Sequence, residues 1–246
     1  MSLPVHLVPS LVGVAVGDEV VVEGDEAHHA VAVRRLRVCE EVVLTDGAGR
    51  SVQGPVASTG KRVFAITVGS VASSDAPAPA IVVVQAIPKG DRGELAVEVL
   101  TEVGVAEVVP WAAARSVAVW KGERAAKSLG RWRSTAREAA KQARRTWFPS
   151  VAELASTADV VALVGEADLA VVLHEEATSS LAALPVPTAG RIVVVVGPEG
   201  GLTDDEVAAY VAAGAHSVRL GAEVLRTSTA GVAAVSALLA RTPRWG

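Results

Sequence analysis

Four short runs rich in valine recur through the last two thirds of the chain, and they leave few folds open. They read IVVVQAI (81–87), VVPW (108–111), VVLH (171–174) and IVVVV (192–196), with a fifth, more mixed run SVRLG at 217–221. Each has the length of a strand rather than of a helix, and the valine runs lack the polar alternation of a sheet with one wet face. Between them lie helical stretches: ELAVEVLTEVG (94–104), a basic segment reaching Phe148, a helix from Asp204, and an Ala-rich helix from about Ser228 to Leu239. Strands alternating with helices predict an α/β domain with a mainly parallel sheet covered on both faces. Half of the 246 residues are hydrophobic and only 3% aromatic, so Ala, Val and Leu must fill the core.

The first 72 residues have a different texture. Short strand-like runs at Glu19–Val22, Glu41–Leu44 and Val63–Val68 are separated by turn signals at Gly17-Asp18, Asp46-Gly47 and Thr59-Gly60, a spacing that predicts a small β-barrel. One insertion, GDEAHHAVAVRRLRV from Gly24 to Val38, reads as a short helix or turn leading into a basic strand. The stretch SSDAPAPA is rich in Ser, Pro and Ala and marks a linker. The expected organisation is therefore a β-barrel domain over 1–72, a linker over 73–80 and an α/β domain over 81–246.

Several function classes are disfavoured at once. A single cysteine, Cys39, excludes an internal disulfide and a multi-cysteine zinc centre, and no metal site is expected. The start MSLPVHLVPS lacks the charged beginning and long apolar core of a secretion signal, and no apolar run is long enough to span a bilayer. A cytoplasmic protein with no membrane partner is the expectation.

Net charge is −4, but it is unevenly spread. Between Arg115 and Pro149 ten basic residues face only Glu123 and Glu138, a local excess of about +8 that leaves about −12 on the remainder. Such a patch suits phosphate recognition, and it equally suits a solvated helix face. If the helix runs to Phe148, Glu138, Gln142 and Arg145 share one face, with Arg137, Lys141 and Arg144 on an adjacent one.

Three stretches carry the chemistry. In IVVVVGPEGGLTDDEV an apolar strand stops at Gly197-Pro198-Glu199-Gly200-Gly201, and Thr203 with Glu206 then forms a helix-starting capping box. Glycine turns before helices commonly hold phosphate, yet Glu199 and the following acids would repel it, and no GxGxxG or GxxxxGK[ST] loop is present. Either the loop takes a ligand that is uncharged or cationic at this point, or it is an acidic turn that reverses the chain. In RLGAEVLRTSTAGVAAVSALLA, Arg226 stands directly before an apolar helix, where it would need a ligand, a carbonyl to cap or a partner such as Glu223. LHEEA, Leu173 to Ala177, sits at the end of a strand, the edge where open α/β sheets bind ligands.

Taken with PKGDRGE, TEVGVAEVVP and REAAKQARRTWFP, these stretches resemble the RsmE family, in order along nearly the whole chain. Its members are SPOUT-class methyltransferases that act on a uridine N3 of bacterial 16S ribosomal RNA. The resemblance implies a PUA-like N-terminal domain, a SPOUT domain with a C-terminal trefoil knot, a homodimer, and S-adenosylmethionine as methyl donor. It places the donor among Leu173, His174, Glu175, Gly197, Pro198, Glu199, Gly200, Gly201, Leu220, Gly221, Leu225, Arg226, Thr227, Thr229 and Ala230. Arg226 and Glu199 become the candidate catalytic residues, the first for charge on the uracil oxygens and the second as a proton acceptor. Arg34, Arg35, Arg37, Arg137, Lys141, Gln142, Arg144 and Arg145 become candidate contacts to 16S rRNA, the expected partner within the small ribosomal subunit.

This sequence departs from the family pattern in three places: Ser228 stands where a Glu is usual, Val99 where a Lys is often found, and TEVG replaces TELG. Two other readings follow from the same stretches, a ribose 2′-O RNA methyltransferase of the same fold and a non-catalytic ribosome-assembly factor.

Overall fold

The computed structural model describes residues 3–245. The chain forms two compact units, one built from the described residues up to Ala76 together with Lys141–Phe148, the other from Pro77–Ala140 and the residues from Pro149 onward.

The first unit is a six-stranded sheet. β1 (Val5–Leu7) pairs in parallel with β3 (Glu41–Thr45), which pairs antiparallel with β4 (Arg50–Thr59). β4 continues antiparallel to β5 (Val63–Thr67), and β5 to β2 (Glu19–Glu23). A register shift between Val56 and Ser58 bends β4, so that one long strand serves β3 with its first half and β5 with its second. β6 (Ser70–Ser73) adds to the first half of β4, which carries the sheet into the stretch expected as a linker. The core is small and aliphatic, with Leu11, Val22, Val42, Leu44, Val52 and Ile66 packed around Phe64.

After β2 the chain turns through α1 (Gly24–His28) into a π-helical turn over His29–Val33. The basic strand expected next does not form. The amides of Arg34 and Leu36 close back onto the carbonyls of His29 and Ala30 at 3.0 and 3.1 Å, and Arg35 has φ 57°, a left-handed conformation no strand accommodates. Arg34, Arg35 and Arg37 therefore project from a bend and are exposed. The segment 141–148 belongs to this unit through real contacts: Trp147 covers Gly49, where an added Cβ would lie 2.6 Å from the ring, and its indole N–H donates to the Ser74 carbonyl at 3.0 Å.

The second unit holds the α/β domain. Its sheet contains β7 (Ala80–Ala86), β8 (Glu107–Trp111), β9 (Ser150–Val151), β10 (Leu169–Leu173), β11 (Arg191–Val196) and β12 (His216–Val218). Spatially they run β12-β10-β11-β7-β8-β9, every neighbouring pair parallel. Helices α2 (Arg92–Glu102), α3 (Glu123–Gln142) and α6 (Thr227–Leu239) supply Leu100, Trp132 and Leu238 to the core on one face. From the other face, α4 (Thr157–Gly165) and α5 (Asp204–Ala212) bury Val160 and Tyr210. The valines of the central strands are divided between these two cores, which is why their runs are unbroken. From the middle strand β7 the chain first winds outward through β8 to β9, then returns to build β10, β11 and β12 on the opposite side. On that side a crevice opens at the carboxyl ends of β10, β11 and β12.

The basic helix α3 stops at Gln142 rather than Phe148: the Arg144 amide closes onto the Lys141 carbonyl at 3.0 Å and Arg144 turns to φ 55°. Arg145 consequently does not continue the helical face of Glu138 and Gln142.

Candidate cofactor pocket and basic residues

A cavity of about 390 Å³ fills the crevice at the carboxyl ends of β10, β11 and β12. Leu173, His174 and Glu175 line it from the end of β10, and Gly197, Pro198, Glu199 and Gly201 from the end of β11. Leu220, Gly221, Leu225 and Arg226 line it from the loop after β12, and Thr227 and Ala230 from the first turn of α6. Thirteen of the fifteen sequence-derived pocket residues thus meet in one place. Gly200 and Thr229 stand outside the lining. Gly200 packs on the Arg115 backbone, where an added Cβ would lie 3.0 Å from the Arg115 carbonyl oxygen, and the Thr229 hydroxyl donates to the Arg226 carbonyl at 3.2 Å.

The glycine loop is held from several sides. Gly201 has φ 72°, which glycine adopts freely, and the Arg115 guanidinium donates to the carbonyls of Gly200 and Leu202 at 3.4 and 3.0 Å. The capping box forms as expected, with Thr203 and Glu206 exchanging bonds at the start of α5. Glu206 is nonetheless 4% exposed, because its second oxygen accepts the Ala114 amide at 2.8 Å. At the cavity floor the Thr227 hydroxyl donates to the Gly197 carbonyl at 2.6 Å, and the buried Gln85 amide of β7 donates to that hydroxyl oxygen at 3.2 Å. These bonds fix the start of α6 against the ends of β11 and β7. Gly231, one turn further on, lets α6 approach Leu100 of α2 and Val196 of β11, with an added Cβ at 3.3 and 3.4 Å from them.

The two candidate catalytic residues differ in setting. Glu199 keeps one quarter of its side chain exposed; its Oε1 accepts the Lys89 amide at 3.2 Å and lies 3.4 Å from Nη1 of Arg92. Arg226 is exposed at the rim as the N-cap residue of α6, makes no side-chain cap bond, and forms no ion pair with Glu223 among the described residues. Ser228, at the position where the family pattern carries Glu, is 4% exposed in the first turn of α6.

Sequence reasoning missed Arg92, Arg219, Ala222, Glu223 and Val224, which also line the cavity, together with the strand-end residues Val196 and Val218 and Leu202 of the loop before α5. PKGDRGE stands out as a motif without a role for Arg92; only the strand order brings it beside a residue 107 positions away.

The basic candidates split between the two units. Arg137 is exposed beside Glu138 on α3, 3.5 Å away. Lys141 is only 10% exposed and binds Glu26 at 3.0 Å, in a group completed by His6, whose Nδ1 lies 3.1 Å from the same carboxylate. Burial pushes the Glu26 carboxyl up, but the hydrogen bonds and charges of His6 and Lys141 outweigh it and bring the pKa down to about 2. Gln142 and Arg144 are exposed, and Arg145 is half-buried. Of the tryptophans, Trp132 is core, meets Trp120 edge-on at 5.1 Å and covers Gly93. Among the described residues no cluster of three metal-ligating side chains occurs, and no helix is long and apolar enough to cross a membrane.

The cavity's lining brings three carboxylates, Glu175, Glu199 and Glu223, and three guanidiniums, Arg92, Arg219 and Arg226, to a site whose glycines allow close backbone approach. This suits a ligand carrying charge of both signs, such as S-adenosylmethionine with its sulfonium and carboxylate.

Comparisons with known proteins identify the family of both parts of the chain. Residues 75–239 match a family described as an RNA methyltransferase domain, and residues 22–68 one described as an RNA methyltransferase PUA domain. The chain is 45% identical over 233 residues to ribosomal RNA small subunit methyltransferase E of Mycobacterium bovis, covering 93% of this chain and 89% of that protein. The Bacillus subtilis protein of the same name is 30% identical, with 90% of each chain covered. Among solved structures, the Neisseria gonorrhoeae ribosomal RNA small subunit methyltransferase E bound to S-adenosyl methionine superposes with a TM-score of 0.87 at 27% identity, covering 98% of both chains.

Proposed function

This chain belongs to the ribosomal RNA small subunit methyltransferase E family, and on that premise we propose that it transfers the methyl group of S-adenosylmethionine to a uridine N3 of 16S ribosomal RNA. The observation that carries the reading is the cavity at the ends of β10, β11 and β12, closed by the Thr227–Gly197 bond and edged with carboxylates where phosphate loops keep donors.

Leu173 to Glu175, the GPEGG loop, Leu220-Gly221 and the segment Leu225 to Ala230 would hold the donor. When bound, it supplies an electrophilic methyl group on a sulfonium cation. The chain's own residues meet the remaining demands. The glycine loop and the α6 start give a fixed frame, so that positioning contributes much of the acceleration. Arg226 at the rim has guanidinium donors free for a uracil oxygen on which charge develops. Glu199 stands beside the pocket as an acceptor for the N3 proton. Since N3 is normally occupied in pairing, the target base must be unpaired or extruded, and Arg34, Arg35, Arg37, Arg137, Gln142, Arg144 and Arg145 would engage the surrounding phosphates. Lys141, engaged with Glu26, serves this role less directly.

Finer features belong to the same proposal: closure of the N-terminal sheet as a PUA-like barrel, a SPOUT trefoil knot, a homodimer, a cytoplasmic location and an assembled small subunit as substrate. Support for the knot comes from the loop after β10, which pairs Ser180 with Arg219 and accepts Arg241 on the Leu181 carbonyl at 3.2 Å, so that it touches the chain on both sides of the segment 220–240. The experiment is methyl transfer from labelled S-adenosylmethionine to small subunits lacking the modification, followed by nucleoside mass analysis. N3-methyluridine is the expected product; a ribose-methylated nucleoside would reassign the acceptor, and no transfer despite donor binding would favour an assembly factor.

A further inference from the structure

A second cavity, about 590 Å³ in volume, opens beside the first. Lys89, Gly90 and Asp91 line it from the loop before α2, Leu95 from α2, and Val117 from the segment after β8. Arg92 and Glu199 line both cavities, so that one guanidinium–carboxylate pair forms the shared wall. Leu95 is 45% and Val117 64% exposed, so two aliphatic side chains present apolar surface to this second cavity.

We propose that the second cavity receives the acceptor uracil, and that Arg92 and Glu199 together read its pairing edge. The inference rests on the function proposed above. Uracil presents there an N3–H donor flanked by two carbonyl acceptors. A carboxylate beside a guanidinium offers the complement, an acceptor for N3–H and donors for a neighbouring carbonyl. Cytosine reverses both signs: its N3 lone pair would face the carboxylate and its amino group the guanidinium, so the pair also rejects the wrong pyrimidine. Glu199 has an oxygen for this task. Its Oε1 is taken by the Lys89 amide and Arg92, while Oε2 has no hydrogen-bond partner among the described residues. The step balances: as N3 bonds to the methyl carbon, the N3 proton passes to Glu199 and the carbon–sulfur bond electrons return to sulfur, leaving a neutral thioether. Glu199 later releases its proton to water.

The test compares the full-length protein with Arg92→Ala, Arg92→Lys, Glu199→Gln and Leu95→Trp, the last placed to fill the second cavity. S-adenosylmethionine binding is measured by calorimetry, and transfer to unmodified small subunits by nucleoside analysis across pH. Leu95→Trp, outside the donor cavity, is expected to bind the donor within about 3-fold of the parent, and all four variants, assayed at saturating donor, to lose on the order of 100-fold or more in kcat/KM for the subunit, with Arg92→Lys recovering part of the loss. Glu199→Gln is expected to regain rate at alkaline pH, where uracil ionises without help; a bracing role for Glu199 gives no such recovery. If the parent makes N3-methyluridine and Leu95→Trp does too at an unchanged rate, or if Glu199→Gln shows no alkaline recovery, the inference fails and the function stands. If the parent makes none, the function itself fails.

Discussion

The hydroxyl of Thr227 reaches the carbonyl of Gly197 across 2.6 Å, joining the first residue of α6 to the first residue of the glycine loop. The same oxygen accepts the Gln85 amide, so one buried side chain, 6% exposed, ties together β7, β11 and α6. Thr227→Val keeps the shape and removes both bonds. It is expected to cost about 1–3 kcal/mol of stability, because a buried carbonyl and a buried amide lose a partner. Urea unfolding measures that cost, and calorimetry with S-adenosylmethionine should show weakened binding in the same variant.

Gly201→Ala tests the loop from its backbone. At φ 72° an alanine is strained by about 1–2 kcal/mol, while the nearest atoms to an added Cβ are 3.9 Å away, so crowding plays no part. Relief of the strain would reshape the loop, and reduced donor affinity with a near-native melting temperature is the expected result.

Acid should weaken the first unit through Glu26. Its carboxyl pKa falls from the usual 4.5 to about 2 on folding, so its contribution is complete above 4.5 and is lost as pH falls toward 2. The contribution is at most about 3 kcal/mol. Glu26→Gln should therefore be less stable than the parent at neutral pH, with the gap closing between pH 4.5 and 2 in parallel denaturant titrations. A constant gap would assign the loss to packing.

Arg34 and Arg37 project from the bend after the π-helical turn, exposed and without salt bridges among the described residues. Replacing both by Ala should lower the slope of log K against log salt for RNA by about 1–2, one increment for each phosphate no longer neutralised. Donor affinity should not change. Filter binding at several salt concentrations reads the first quantity and calorimetry the second.

Local signals carry much of the fold. Runs of valine announce the sheet because both its faces are covered, and the Thr203–Glu206 spacing announces α5 because capping is a contact within one turn. Pocket residues are legible where glycines and strand ends lie close along the chain. Arg92 and its partner are not, since their meeting depends on β7 lying next to β11, a fact of strand order rather than of periodicity. Two departures share a cause. The basic strand after Gly24 and the extension of α3 to Phe148 both run, in the sequence pattern, through Arg35 and Arg144, which turn left-handed although neither is glycine. Lys141 shows a further limit: its position in the chain says basic helix, and only Glu26, 115 residues earlier, says buried.

Apart from Arg92, every residue lining the cavity at the ends of β10, β11 and β12 lies between Leu173 and Ala230. The order of synthesis therefore has a bearing on activity. A growing chain that has released β7, α2, β8 and α3 carries most of the basic residues and two of the six strands of this sheet, yet only Arg92 of the cavity lining. Only when α6 has left the exit tunnel can Thr227 meet Gly197. A chain cut before Thr227 would carry the basic residues but lack the bond that joins α6 to the glycine loop.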